Sequence, residues 1–311
     1  MNNVVEVVAA VIADARGRVL LARRTEGRDL AGLWEFPGGK REPGETPEAA
    51  LARELHEELG IVADVGAAVI LVPHRYPHKR LRLDVRRVDS WDGTPKGLDG
   101  QALAWVPPHK LASYAMPGAD RPVVAALLQP DRYLVTPTAT EAGGDNWLAA
   151  LQRSISGTNI RRVQLRGVPA AFARDAVALC RTAGVEVLVN ADIAMAREFD
   201  VGVHLKAAQL AGMLERPLKA SLPVAASCHD ADDLAHAERL RCDFAVLGPL
   251  QSTPTHPGTA TLGWAAFAAL REHSTIPLYA IGGLTMADLS AARAHGAQGI
   301  AAIRALWSTA P

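Results

Sequence analysis

The chain has 311 residues, of which 49% are hydrophobic, and its 33 Lys and Arg residues balance 33 Asp and Glu residues. That length allows two ordinary domains, and the apolar content excludes a disordered chain. A formal net charge of zero gives no global basic field for a nucleic acid polymer, so a small anion is the expected partner.

The cysteines and the N-terminal apolar run indicate the expected cellular location of the protein. Cys180, Cys228 and Cys242 are too few for a disulfide framework and form no C-x-x-C pair, so we expect reduced thiols and a cytoplasmic location. The first apolar run is short, contains Glu6 and lacks a basic leader, which favours a buried strand over a signal peptide. Since no apolar stretch reaches about 18 residues, we expect no membrane span.

Residues 1–128 combine apolar runs with one strongly marked helix. The predicted strands cover Val4–Ile12, Val19–Arg23, Val69–Val72 and Arg80–Val88. A last helix is predicted over Arg121–Leu128. The polar break at residues 129–131 marks the expected boundary, which gives domains of residues 1–128 and 132–311.

The strongly marked helix lies within residues 39–61. Thr46 and Pro47 form an N-cap and first-turn pair, and Gly60 is a C-terminal stop, so the helix has about 13 residues. One face carries three carboxylates at spacings of three and four residues, namely Glu54, Glu57 and Glu58. An adjacent apolar stripe anchors the helix to a core and consists of Leu51, Leu55 and Leu59.

Three carboxylates on one helix face repel each other, at about a few tenths of a kcal/mol per pair. A divalent cation would reverse the sign of that interaction. Oxygen-only ligands suit Mg²⁺ or Mn²⁺ rather than Zn²⁺. For an isolated E-x-x-E-E segment, a solvated acidic face would be the better interpretation. The choice between a metal site and a solvated face therefore depends on the surrounding residues.

Here the whole pattern G-x5-E-x7-R-E-U-x-E-E-x-G-U is present, where U is aliphatic. Its fixed positions are filled by Gly39, Glu45, Arg53, Glu54, Leu55, Glu57, Glu58, Gly60 and Ile61. This is the Nudix signature, and the first domain resembles the Nudix superfamily over its full length. The resemblance implies an α/β/α sandwich with a mixed sheet and hydrolysis of a diphosphate linkage.

The resemblance also implies roles for these residues. The predicted ligands of Mg²⁺ or Mn²⁺ are the Gly38 carbonyl, Glu54, Glu57, Glu58 and Asp99. The predicted catalytic set is Arg53, Glu54, Glu57 and Asp99, and Arg53 with Glu45 would hold the loop–helix–loop in shape. Water would attack phosphorus without a covalent enzyme intermediate.

Three flanking stretches, Leu33–Lys40, Trp91–Gln101 and Met116–Val123, look like those of MutT-type 8-oxo-dGTP diphosphatases. In that subfamily an acidic residue before G-Q is an additional metal ligand or base, and Asp99 matches it with a shorter side chain. The predicted substrate-binding residues are Arg24, Glu35, Phe36, Lys79 and Asp120. Arg24 would contact phosphate, and Phe36 would line the purine pocket.

Asp120 departs from this subfamily, because it stands where the bacterial enzymes carry a purine-reading asparagine. A protonated aspartate can read the same base edge, whereas an ionised one favours a donor such as a cytosine-type amine. Other interpretations stay open: Trp34 and Phe36 as core residues, and Asp120 as a helix cap. The basic cluster from His74 to Arg80, which includes Lys79, fits either phosphate contact or a solvated loop.

Residues 132–311 alternate apolar strands with alanine-rich helices such as Ala170–Ala183 and Met286–His295. The eight predicted strands are Tyr133–Thr136, Arg162–Arg166, Glu186–Asn190, Val201–Leu205, Pro223–Ser227, Phe244–Leu250, Pro277–Gly283 and Gly299–Arg304. Such alternation implies a parallel sheet. Eight units favour a closed (β/α)₈ barrel, with an open doubly wound sheet as the alternative.

Several pieces of this half resemble thiamine phosphate synthase and its TenI relatives, among them Val163–Arg166, Gly202–Leu205 and Ala280–Gly283. The resemblance implies a barrel with a phosphate-ligand pocket at the strand C-termini. The predicted pocket residues are Gln164, Arg166, Asn190, His229, Gly282 and Gly283. His229 aligns with a proposed acid/base histidine, and a structural histidine is the equal alternative.

The synthase chemistry looks incomplete. The family lysine after the second strand is replaced by Val168, and a metal-binding aspartate by Ala191, although Asp192 is nearby. A second metal aspartate is absent after Leu205, and His256 replaces another lysine. We therefore expect either a pocket for a thiamine-related phosphate ligand or TenI-like isomerase chemistry, in both cases without synthase activity.

Three functional hypotheses follow from the sequence. The first is Mg²⁺-dependent conversion of 8-oxo-dGTP to 8-oxo-dGMP and diphosphate, which sanitises the nucleotide pool. The second is hydrolysis of a thiamine-pathway diphosphate, such as a pyrimidine diphosphate or damaged thiamine diphosphate, and is motivated by the fused barrel. In the third, the barrel is a non-catalytic sensor or interaction module.

Overall fold

The computed structural model describes residues 4–27, 29–138, 146–168, 170–252 and 260–308. These residues group into two compact units that divide near Gln129 and Pro130. Within the described ranges, no helix has both the length and the apolarity that a membrane crossing requires.

Among its described residues, the first unit contains seven strands, two α-helices and a 3-10 helix. Its strands are β1 (Val4–Val11), β2 (Val19–Arg23), β3 (Trp34–Glu35), β4 (Gly38–Lys40), β5 (Val62–Tyr76), β6 (Lys79–Asp92) and β7 (Leu103–Val106). The helices are α1 (Pro47–Leu59), α2 (Arg121–Leu128) and the 3-10 helix Pro108–Ser113. One sheet has the order β4-β1-β6-β5, in which only β1 and β6 are parallel, and the other has the order β3-β2-β7.

Strand β1 shows how the sequence builds three layers. Its even-numbered side chains, including Val8 and Ala10, pack with the Leu51, Leu55 and Leu59 stripe of α1. Its odd-numbered side chains, Ala9 and Val11, pack on the opposite face with residues of α2. Because neighbouring side chains of a strand alternate between faces, one apolar strand joins both cores. The predicted sandwich with a mixed sheet is confirmed.

The strand predictions were incomplete in this unit. The predicted strand Val69–Val72 is the middle part of the longer β5, whose register shifts between Asp64 and Ile70 hide the alternating pattern. The short strands β3, β4 and β7 were not predicted, because two to four residues carry no periodic signal. The helix of about 13 residues is confirmed as α1, with the Thr46 hydroxyl accepting a hydrogen bond from the Ala49 amide.

The second unit is a closed barrel of eight parallel strands in the order β10-β11-β12-β13-β14-β15-β8-β9. These strands are β8 (Arg132–Val135), β9 (Arg162–Leu165), β10 (Glu186–Asn190), β11 (Gly202–Leu205), β12 (Val224–Cys228), β13 (Phe244–Leu247), β14 (Leu278–Ile281) and β15 (Gly299–Ala302). The closed barrel is therefore confirmed over the open sheet.

Helices follow the barrel strands. They are α3 (Trp147–Ile155), α4 (Ala170–Thr182), α5 (Ile193–Phe199), α6 (Ala207–Ala211), α7 (Ala231–Arg239), α8 (Gly263–Arg271) and α9 (Leu289–Ala294), with a 3-10 turn at Met286–Asp288. The predicted helix Met286–His295 is thus a 3-10 turn followed by the short α9. An inner core of aromatic and aliphatic side chains, including Tyr133, Phe244 and Tyr279, fills the barrel, so it is a packed core rather than a pore.

Candidate active site

The first cluster of predicted site residues lies where α1 meets β4. Glu54 points at the backbone of Gly39 so closely that an added Cβ would lie 2.2–2.5 Å from the Glu54 carboxyl group. Gly38 precedes it with φ of 150° and pairs with Ala9 of β1. A side chain at position 39 would displace this carboxylate, so the glycine of the motif lets Glu54 lie against the backbone.

Arg53 connects the loop before α1 to the helix face. Its guanidinium donates to both Glu45 carboxylate oxygens over 2.8 and 3.0 Å, and to the Lys40 carbonyl over 3.1 Å. It also donates to Glu54 over 3.0 Å and to Glu57 over 3.2 Å. These bonds lower the pKa of Glu45 to about 2 and raise the pKa of Arg53. One cation thus offsets the repulsion among three carboxylates.

The predicted metal ligands supply only oxygen donors. Glu54 is largely buried, Glu57 is exposed, and Glu58 has intermediate burial. In the described residues, no three Asp, Glu, His or Cys side chains already converge on one point as a metal site. With Glu54 beside the Gly38–Gly39 backbone, this donor set fits a hard divalent cation. Glu54 and Glu57 also accept hydrogen bonds from Arg53, which compensates part of their charge.

Asp99 lies on an exposed loop fixed to the C-terminal end of α1. The Gln101 side chain accepts from the Asp99 amide over 2.9 Å and donates to the Glu58 carbonyl over 3.0 Å. The Leu98 amide also donates to the Glu58 carbonyl over 3.0 Å. The sequence predicts no role for Gln101 of the G-Q motif, and these two side-chain bonds show a structural one. It connects the Asp99 backbone to that of a predicted metal ligand.

The predicted phosphate-contacting residue Arg24 belongs to a second cluster. Its guanidinium forms an ion pair with Glu35 and donates to the Asp29 carbonyl over 2.6 Å. Lys79, at the start of β6, pairs with the Asp29 carboxylate over 2.6 Å. Asp29 thus contacts both Arg24 and Lys79. Together with Glu35, these residues form a partly exposed cluster in which positive and negative side chains alternate.

Asp120 is the buried member of this second cluster. Its side chain is 6% exposed, and Oδ1 accepts from the Phe36 amide over 3.3 Å. Burial, followed by the nearby Glu35 carboxylate, raises the pKa of Asp120 to about 7. Asp120 stands at the N-cap of α2 but makes no side-chain capping bond there, so the capping interpretation is wrong. A carboxyl group with this pKa presents both protonation states near neutral pH.

Of the aromatic residues near Asp120, some pack in the core and one contacts the site through its hydroxyl group. Phe36 is 2% exposed within the core that includes Val123, so its ring is packed and its backbone amide contacts Asp120. Trp34 packs edge-on against Tyr114, with ring centroids 5.4 Å apart. Tyr76 was not predicted as a site residue, yet its hydroxyl accepts from the Ala119 amide over 3.3 Å. A single tyrosine in a polar stretch gives no sequence signal for such a role.

In the barrel, three predicted pocket residues lie at or beside strand C-termini. The Gln164 side chain donates to the Asn190 side chain over 2.8 Å, which joins β9 to β10. Arg166 contacts Thr136, since its amide donates to the Thr136 hydroxyl over 2.9 Å and its Nε to the Thr136 carbonyl over 3.2 Å. The structure thus brings amide and guanidinium groups to the C-terminal ends of neighbouring strands, where the sites of such barrels lie.

Gly282 and Gly283 follow β14 in left-handed backbone conformations, with φ of 108° and 70°. A Cβ at Gly282 would lie 2.8 Å from the Leu250 nitrogen, so only glycine permits this approach of two loops. His229 lies after β12 and is exposed. Its Nδ1 is 3.2 Å from an Asp233 carboxylate oxygen that also accepts from the His229 amide over 2.9 Å.

A hydrogen-bonded chain in the barrel interior was not predicted from the sequence. His204 Nδ1 lies 3.0 Å from the Tyr133 hydroxyl, and its Nε2 lies 2.9 Å from the Ser227 hydroxyl. Burial lowers the pKa of His204 to about 3, so the imidazole is neutral. These residues appeared in the sequence only as parts of three separate strand motifs, and closure of the barrel brings them together.

Ala191 and Asp192 lie where the sequence departs from the thiamine phosphate synthase pattern, and both make local hydrogen bonds. Ala191, where the family has a metal-binding aspartate, adopts φ of 63°, and its carbonyl accepts from the Gln209 side chain over 2.9 Å. Asp192 caps α5 by accepting from the Met195 amide over 2.9 Å. The nearby carboxylate therefore has a structural partner. His256 lies outside the described residues.

Comparisons with known proteins agree with both halves. The sequence profile of the NUDIX domain matches residues 8–126, and that of thiamine monophosphate synthase matches residues 132–306. Both resemblances found in the sequence are thus confirmed.

Individual relatives are similar to one half each. An Escherichia coli CTP pyrophosphohydrolase is 42% identical over 126 residues, which are 40% of this chain and 93% of the relative. A Haemophilus influenzae 8-oxo-dGTP diphosphatase is 40% identical over 127 residues, or 41% and 93% of the two chains. A putative thiamine-phosphate synthase 2 of Aquifex aeolicus is 30% identical over 168 residues, or 51% and 89%.

Proposed function

The chain belongs to the Nudix family in its first half and to the thiamine monophosphate synthase family in its second, and from this we propose a nucleoside triphosphate diphosphatase fused to a phosphate-ligand barrel. As a Nudix hydrolase, the first half acts on diphosphate linkages. We propose domains of residues 1–128 and 132–311, with 8-oxo-dGTP as the principal substrate. The observation that carries the proposal is the Glu54 carboxylate beside Gly39, held by Arg53.

In the proposed reaction, water attacks a phosphorus of the triphosphate chain, a bridging P–O bond breaks, and nucleoside monophosphate and diphosphate leave. The Gly38 carbonyl, Glu54, Glu57, Glu58 and Asp99 would hold Mg²⁺ or Mn²⁺. The chemistry that such a cation supplies is neutralisation of phosphate oxygens, orientation of water and stabilisation of the leaving diphosphate. Arg53 positions Glu54 and Glu57, and Arg24 and Lys79 provide positive charge for the phosphates.

The base would be read beside Asp120, next to the Phe36 amide and Glu35. With a pKa of about 7, Asp120 presents either an O–H and a carbonyl or two acceptors. The first form by itself matches both O6 and N7–H of 8-oxoguanine. The second form only accepts, either from N7–H of 8-oxoguanine or from an exocyclic amine such as that of cytosine. CTP is therefore the second substrate to test, in keeping with the CTP pyrophosphohydrolase similar to this half.

A substrate screen of the full chain tests the proposal. We expect diphosphate release from 8-oxo-dGTP, and more slowly from CTP, with Mg²⁺ present and none after chelation. A Glu54→Gln variant provides a matched inactive control. Full-rate hydrolysis in the absence of free Mg²⁺ and Mn²⁺ would refute the metal assignment.

The family match of the second half supports one alternative, hydrolysis of a thiamine-pathway diphosphate by the Nudix half. The same screen should include a pyrimidine diphosphate and thiamine diphosphate. Turnover of these alone would replace the nucleotide proposal with the alternative.

For the barrel, we propose that Gln164, Arg166, Asn190, His229, Gly282 and Gly283 bind a thiamine-related phosphate without synthase turnover. Titration calorimetry with thiazole phosphate and thiamine phosphate tests it. No heat with either ligand would favour an interaction module, and joining of the pyrimidine and thiazole would contradict the loss of synthase activity.

A further inference from the structure

Tyr76 ends strand β5 beside the proposed base-reading residue. Its ring packs against the core that contains Phe36 and Ala119. The Lys79 ammonium lies 5.4 Å from the centroid of the Tyr76 ring. Tyr76 itself has intermediate burial. The His74 ring lies edge-on to the Tyr76 ring, with centroids 4.5 Å apart. Packing against the core, Lys79 and His74 therefore restricts the position of the Tyr76 hydroxyl.

The Tyr76 hydroxyl has hydrogen-bonding capacity beyond its contact with the protein. It accepts from the amide of Ala119, the residue before Asp120, over 3.3 Å. A phenol has one hydrogen to donate in addition to its lone pairs, so this bond leaves its donor available. Burial raises the pKa of Tyr76, with the Asp120 carboxylate contributing, so the hydroxyl keeps its proton at neutral pH.

Asp120 by itself is an incomplete reader of a base edge when ionised. Its Oδ1 accepts from the Phe36 amide, and an ionised carboxylate has only acceptors to offer. A carboxamide at the same place would offer a donor and an acceptor together. If Asp120 is ionised, the donor must come from a neighbouring group, and the Tyr76 hydroxyl is beside it.

We propose that Tyr76 is a specificity-determining residue whose hydroxyl donates to an acceptor atom of the substrate base while Asp120 accepts from the adjacent N–H. This inference rests on the proposed function. In 8-oxoguanine the pair would meet O6 and N7–H, and in cytosine N3 and the N4 amine. Unmodified guanine presents O6 and N7, both acceptors, on the same edge, and leaves Asp120 without a donor.

Kinetics of Tyr76→Phe on four substrates test the proposal, with Tyr114→Phe as the matched control. Tyr114 is a half-buried tyrosine that packs on the same core. For Tyr76→Phe we expect kcat/KM with 8-oxo-dGTP and CTP to fall about 3- to 10-fold, mainly through KM, because one hydrogen bond to the base is lost. Ribose 5-triphosphate, which has no base, should be unaffected, and the already low rate with dGTP should change little.

A double variant separates base reading from structural damage. In Tyr76→Phe with Asp120→Asn, the carboxamide supplies both groups, so we expect kcat/KM with 8-oxo-dGTP to return towards that of the unaltered chain. An unaltered kcat/KM in Tyr76→Phe, or an equal loss on ribose 5-triphosphate, would overturn the proposal while leaving the proposed function in place. An unaltered chain inactive on every nucleotide would instead overturn the proposed function, and this proposal with it.

Discussion

Arg53 and Glu45 form a bidentate ion pair, with the guanidinium donating to the two carboxylate oxygens over 2.8 and 3.0 Å. Because this pair ties the loop before α1 to the helix, it determines where Glu54 and Glu57 stand relative to the Gly38–Gly39 backbone. The bidentate pair requires two parallel N–H donors in one plane. A guanidinium group has them, whereas a lysine ammonium group does not.

We therefore expect Arg53→Lys to keep the fold but to lower activity or raise the Mg²⁺ concentration for half-maximal rate by about 10- to 100-fold, as changes beside metal ligands typically do. The measurement is the rate as a function of Mg²⁺ concentration. Arg87→Lys, on the exposed part of β6, is the control and should behave as the unaltered chain. If both variants gave the same Mg²⁺ curve, Arg53 would have no positioning role.

Glu54→Gln and Glu57→Gln should each lower kcat by orders of magnitude, about 10²-fold or more, because an amide oxygen binds Mg²⁺ far more weakly than a carboxylate does. Glu48→Gln is the matched control on the same helix, since Glu48 pairs with Arg86 over 2.5 Å. Thermal unfolding should show that the two site variants are folded. Near-normal rates in either would remove that residue from the predicted ligands.

The sequence allowed the fold to be predicted well where its signals are local. The cap at Thr46, the stop at Gly60 and the leucine stripe predict α1, and the eight apolar runs predict the barrel strands. Short strands such as β3 were missed, because their two residues are ordered by pairing with β2 and not by their own pattern.

The candidate site was predictable only as far as its motif extends. The motif predicted the carboxylates and Arg53, but not that Arg53 would bridge Glu54 and Glu57. Contacts between distant segments gave no signal, as in the pairing of the Tyr76 hydroxyl with the Ala119 amide or of His204 with Tyr133. Such contacts depend on how strands are arranged in space, which residue spacing does not encode.

Asp120 should make the stability of the chain depend on pH near neutrality. Its pKa is about 7 in the folded chain against 3.8 ordinarily, so the folded state holds the proton more tightly. The stabilisation is fully present below about pH 3.8 and is lost as pH rises to about 7. The free energy of unfolding should therefore fall as pH rises through that window and level off above it.

Urea unfolding at several pH values from 5 to 8 measures this dependence. Asp120→Asn cannot ionise, so its free energy of unfolding should rise relative to that of the unaltered chain as pH increases towards 7. Asp64→Asn, at an exposed position of β5, should follow the unaltered chain. Parallel pH curves for the Asp120→Asn variant and the unaltered chain would show that the buried carboxyl does not hold a proton.

His229 should hold one tautomer because Asp233 faces its Nδ1 at 3.2 Å. A carboxylate accepts only from a protonated nitrogen, so the neutral imidazole should carry its hydrogen on Nδ1 and leave Nε2 as a base at the barrel end. Nitrogen NMR of the full chain measures the tautomer directly, without a substrate. Asp233→Asn should shift the population towards the Nε2–H form that predominates in free histidine, whereas Asp232→Asn, one residue earlier on α7, should not. An Nε2–H tautomer in the unaltered chain would show that Asp233 does not orient the ring.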